Sequence, residues 1–80
     1  MLDKTFKTAS GDHLVKYNEE DLRAKDLVEH WEHHMQPHEM EHIFHEAKHS
    51  EGGRLHLDNG EHNLVHHSDG HFTLEKKHNS

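Results

Sequence analysis

Apolar and polar residues alternate in the first and last parts of the chain and recur with helical spacing between them. In the opening stretch, Phe6 and Thr8 precede Ser10-Gly11, and His13, Val15 and Tyr17 follow it at period two. That pattern predicts a β-hairpin. A two-residue Ser-Gly loop would pair Phe6 with Val15 and Lys4 with Tyr17, leaving Leu14 on the opposite side.

A helix is expected over about residues 18–35. Asn18 is suited to cap it, and Glu19, Glu20 and Asp21 favour the positive end of its dipole. Ala24, Leu27, Val28, Trp31 and Met35 fall within an arc of about 100°, with Arg23, Asp26, Glu29, His30 and His33 opposite. Pro37 interrupts it and suits the first position of a second helix, expected over about 37–50, with Gln36 as the joint. There Met40, Ile43, Phe44 and Ala47 form the apolar stripe, and Gly52-Gly53 ends it. A tight helical hairpin covers both apolar faces better than one kinked helix.

The last third alternates again. Asn59-Gly60 is a strong hairpin signal and pairs Leu55 with Leu64 and Leu57 with His62. A three-residue turn at Ser68-Asp69-Gly70, with Gly70 left-handed, pairs Leu64 with Leu74 and His66 with Phe72. A two-residue loop would flip Phe72 and Leu74 to the wrong face, so the longer turn is expected. Val65 then points outward, where it could serve an interface, and residues 76–80 are expected to fray. His62 and His66 fall on the apolar face and are expected at its rim, hydrogen-bonded.

The expected fold is α+β in a single small domain, 1–80. It comprises an N-terminal β-hairpin, two amphipathic helices, and a C-terminal three-stranded antiparallel meander, with the helices on one sheet face. The expected core is Phe6, Val15, Tyr17, Leu27, Val28, Trp31, Met35, Ile43, Phe44, Leu55, Leu57, Leu64, Phe72 and Leu74.

Composition narrows the function. Only 29% of the 80 residues are hydrophobic and mean hydropathy is -1.23, so the core is modest. The absence of cysteine excludes disulfides, thiolate metal sites and a cysteine nucleophile. No long apolar run suggests a signal peptide or membrane span, so a soluble cytoplasmic protein is the default expectation. The net charge of -7 is spread evenly and leaves no basic face for nucleic acid at neutral pH. Fourteen histidines would bring that charge towards zero on acidification, giving a pH-linked partner something to sense.

The candidate chemistry lies in the second helix. H-E-x-x-H occurs at His38-Glu39-Met40-Glu41-His42 and again at His45-Glu46-Ala47-Lys48-His49. In zinc hydrolases such a pair of histidines binds the metal and the glutamate activates a water. Here the glycine of the extended metzincin pattern is missing, and Lys48 stands where its third histidine belongs. On a helical wheel His38, His42, His45 and His49 lie at about 0°, 40°, -20° and 20°, opposite the apolar stripe. Neutral imidazoles at i,i+4 can share Zn, Ni or Cu, but the stripe spans about 16 Å, too far for one ion. His30 and His33 of the first helix are the additional candidate ligands.

The reading is therefore a non-enzymatic protein-interaction or regulatory module, with a protein partner or a homodimer through a strand edge or Val65. It is expected to need no cofactor, to act apart from membranes, and to have scope for pH response. Divalent-metal binding by the histidine stripe is the alternative, and a zinc hydrolase the remote one.

Overall fold

The computed structural model describes residues 1–77. Strands β1 (Leu2–Thr8) and β2 (Gly11–Tyr17) form the hairpin. Helices α1 (Leu22–His34) and α2 (Pro37–His49) follow, then a short 3-10 turn (Glu51–Gly53) and strands β3 (Arg54–His56), β4 (His62–His66) and β5 (Phe72–Lys76). The fold is α+β, but the hairpin and the meander are not separate. They join in one five-stranded mixed sheet of order β1-β2-β5-β4-β3, in which β2 and β5 pair parallel, Val15 opposite Phe72 and Tyr17 opposite Leu74. This junction makes the apolar residues of both segments one continuous face.

The expected meander register holds: Leu55 opposes Leu64, Leu64 opposes Leu74, and His66 opposes Phe72, with Gly70 at φ 100. The first hairpin is offset by two residues from the expected register. Thr8 opposes Gly11 across an Ala9-Ser10 loop, so Phe6 faces His13, Lys4 faces Val15 and Leu2 faces Tyr17. The Thr8 hydroxyl donates to the Gly11 carbonyl at 2.8 Å, closing this turn. A shift of two keeps every side chain on its face, so alternation alone cannot distinguish the two registers.

Helix α1 begins later than expected. Its N-cap is Asp21, not Asn18: the Asp21 carboxylate accepts from the Ala24 amide at 3.1 Å. Asn18 instead accepts from the Glu20 amide in the preceding turn. Met35 and Gln36 are both extended before Pro37, so the two helices are distinct. Glu39 of the first H-E-x-x-H accepts from the Gln36 amide at 2.9 Å, tying off the start of α2. After α2, Gly53 approaches β4 so closely that a Cβ would lie 2.9 Å from the His66 carbonyl oxygen.

Both helices cover one face of the sheet. Phe6 packs edge-on against Trp31 and tilted against Phe44, and Phe44 packs tilted on Phe72 with ring centroids 4.7 Å apart. Ala24, Met40 and Ala47 join the buried set, as helical spacing allows. Leu27, Met35, Ile43, Leu55 and Leu57, expected in the core, are only partly buried. Val65, expected outward at an interface, is on the outer face but only 7% exposed, with Arg54 and Thr73 opposite it on the two neighbouring strands. Of the tail expected to fray, Lys76 closes β5 and the Lys77 amide donates to the Glu61 carbonyl at 2.8 Å; 78–80 lie outside the described residues. Among the described residues no helix is long and apolar enough to cross a membrane.

Candidate functional site

The histidine stripe points to water. His38, His42, His45 and His49 are all exposed, while Met40, Phe44 and Ala47 on the opposite side of α2 are buried. The His42 ring pairs with Glu46, so the glutamate of the second H-E-x-x-H contacts a histidine of the first. The His45 and His49 rings lie 4.4 Å apart. On α1, His30 stacks on His34 at 5.1 Å and His33 meets Glu32 at 3.3 Å. Five of the six candidate ligands, His30, His33, His42, His45 and His49, thus divide into local contacts. Among the described residues no group of three or more His, Asp or Glu side chains converges as a metal site.

Two histidines that the sequence placed less prominently are deeply embedded. His62, expected at the rim, is fully buried, and its Nε2 lies 2.9 Å from Asp21 Oδ2. Its Nδ1 lies 2.9 Å from Asn59 Nδ2. The Asn59 carbonyl oxygen accepts from the Glu61 and His62 amides, which fixes the amide group with its NH2 towards the ring. Nδ1 therefore accepts, and Nε2–H donates to Asp21. Burial pushes the Asp21 carboxyl up, but the hydrogen bonds from His62 and the Ala24 amide outweigh it and leave the carboxyl below its usual value. This triad ties the start of α1 to the β3–β4 turn. Both ring nitrogens are occupied, so it is a clamp and not a base awaiting a substrate.

His13 sits against Phe44 and Phe72, with Nε2 at 3.0 Å from the Ser10 hydroxyl. That hydroxyl donates to Glu41 at 2.8 Å, and the Ser10 amide donates to the same oxygen. The serine is the middle member of this row, and its proton faces a carboxylate. A nucleophilic serine would instead hand its proton to the imidazole. Burial, then the nearby Lys48, lowers the His13 pKa, with Glu41 opposing. The neighbouring Thr8 hydroxyl and the hydrogen bonds from Ser10 hold Glu41 down to about 2. Alternation put His13 on the inner face; no feature of sequence pointed to Glu41, which reaches the β1–β2 turn from α2.

The apolar layer is left open at a groove of about 520 Å³ between α1, α2 and the β3 edge. Its walls are Leu27, Met35, Ile43, Leu55 and Leu57, with Trp31 among them. These first five are the expected core residues that remain only partly buried. His30, His42, Glu46, His56 and Asp58 also line it, so two of the six candidate ligands meet at an apolar surface. Comparisons with protein families, curated proteins and solved structures found no match.

Proposed function

We propose that the chain is a non-enzymatic protein-interaction module whose binding surface is the groove between α1, α2 and β3, its occupant an apolar segment of protein. The observation that carries this reading is the coincidence of Leu27, Met35, Ile43, Leu55 and Leu57 in one half-buried cleft. A modest core that leaves five large apolar side chains together at the surface gains from covering them. The cleft's titratable rim, His30, His42 and His56 beside Glu46 and Asp58, supports pH-responsive binding. Glu46 and Asp58 make the rim acidic while those imidazoles are neutral, and protonating the imidazoles makes it cationic.

A diazirine side chain placed at Met35 tests the surface. The expected product is an intermolecular protein adduct formed through the groove and lost in Ile43→Glu. Quenching by water alone, or adducts indifferent to Ile43→Glu, would overturn the reading.

Divalent-metal binding is the second reading. It is favoured by three imidazole pairs, His30–His34, His45–His49 and His67–His71, with ring centroids 5.1, 4.4 and 4.3 Å apart. Two imidazoles leave Zn or Ni incompletely held. Calorimetric titration of the native chain and of His45→Ala/His49→Ala separates a built site, tight and lost in the variant, from generic surface affinity.

A further inference from the structure

The geometry points to a second copy of this chain as the occupant, docked edge to edge along β3. This deepens the interaction reading and rests on it. β3 is an edge of the sheet, with β4 on one side only. The Leu57 amide donates inward to the His62 carbonyl at 3.0 Å. Alternation along the strand therefore turns the N–H and C=O of His56 towards the free edge. Open concavities flank that edge, and among the described residues no strand pairs with it.

The segment Arg54-Leu55-His56-Leu57-Asp58 is self-complementary when laid antiparallel on itself about His56. Arg54 then opposes Asp58 of the other copy at both ends, and Leu55 opposes Leu57. The two His56 residues meet at the two-fold axis. Arg54 is exposed on the outer face near Glu75, Asp58 is exposed at the start of the Leu57–Gly60 turn and lines the rim of the groove, and the leucines lie on the helix side, where they line the groove. Strand addition thus satisfies backbone groups, pairs opposite charges and covers half-buried leucines in a single register. A two-fold axis through the sheet keeps both helical layers on the same face.

The other edge, β1, is less suited. Its helix side carries Lys4 paired with Glu32 of α1, which an incoming strand would have to desolvate.

The paired segment is short, so the dimer is weak, with a dissociation constant of about 10–1000 µM. Acid weakens it further, because protonation sets two His56 cations face to face. The groups around each are Arg54 and Asp58 on its own strand, Asn63 opposite it on β4, Glu75 beyond on β5, and His30, His42 and Glu46 across the groove.

Sedimentation equilibrium of the full chain at neutral pH tests the proposal. The native chain is expected to show reversible monomer–dimer exchange. Arg54→Asp and Asp58→Arg each place like charges at both ends and should weaken association at least about tenfold. Mixing the two variants restores opposite charges at both ends and should yield a heterodimer, while Asp3→Lys on β1 should change nothing. A native chain monomeric at about 1 mM, variants that dimerise like the native chain, or a mixture without heterodimer would overturn it. If the Met35 adduct then forms with a different protein and still depends on Ile43, the groove reading survives and the dimer alone falls. If no adduct forms, both fall.

Discussion

Replacing Asp21 with alanine should cost this small domain more than an ordinary helix cap. Two losses combine at one carboxylate. The first is the bond to the Ala24 amide at 3.1 Å, a helix N-cap of about 1 kcal/mol. The second is the acceptor for His62 Nε2–H at 2.9 Å; that ring is fully buried, so its N–H is stranded at about 1–3 kcal/mol. The total is about 2–4 kcal/mol, a large part of the roughly 5 kcal/mol typical of a small domain. Urea unfolding followed by circular dichroism measures it. A double-mutant cycle with His62→Leu isolates the buried half, which should appear as a coupling of about 1 kcal/mol or more. The Asp21 carboxyl lies below its usual value, so its contribution is full above about pH 4 and is lost as pH falls through the folded value. A penalty near 0.5 kcal/mol with no coupling to His62 would refute the reasoning, because the cap would then stand alone.

Four further outcomes are expected. Glu41, held down to about 2 by Thr8 and Ser10, stabilises the fold above its unfolded value near 4.5 and loses that contribution as pH falls towards 2; Glu41→Gln should flatten acid unfolding across that window. The His13 pKa is lowered by burial, so the unfolded chain takes up protons first and stability falls as pH drops below 6.5; His13→Gln should reduce that slope in pH-resolved urea titrations. Gly53→Ala meets both a positive φ of 66 and the His66 carbonyl at 2.9 Å, and should cost about 1–3 kcal/mol by thermal unfolding. Asn63 is buried with its Oδ1 unpartnered, so Asn63→Val should stabilise by about 1 kcal/mol; a loss of stability would mean that oxygen is satisfied.

What the chain pattern reveals is local. Asn59-Gly60 and Ser68–Gly70 set the β3–β4–β5 registers because a turn type leaves one pairing that buries Leu64, Phe72 and Leu74. Pro37 separates the helices because Gln36 cannot readily be helical before it. What it conceals is contact between distant segments. The parallel pairing of Val15 with Phe72 joins strands more than fifty residues apart. The cap moved from Asn18 to Asp21, the residue that His62 reaches from β4. The stripe of His38, His42, His45 and His49 was legible because periodicity separates it from Met40, Phe44 and Ala47. The groove was not, because Leu27, Met35, Ile43, Leu55 and Leu57 read as core until the layers are seen not to close over them.

Two sets of histidines show where pH acts. His30, His33, His34, His38, His42, His45, His49 and His56 are exposed. Protonating them breaks no buried hydrogen bond, yet it carries the surface from a net charge of -7 close to zero. Their effect falls on encounters with other molecules, and three of them, His30, His42 and His56, line the groove. His13 is different: a charge there sits against Phe44 and Phe72 and faces Lys48, so it bears on the fold itself. Removing His13 should therefore change stability in acid without changing the pH dependence of association, and removing His56 should do the reverse. One substitution that moved both together would mean that binding and folding share a single titration, and that the groove is not an independent surface.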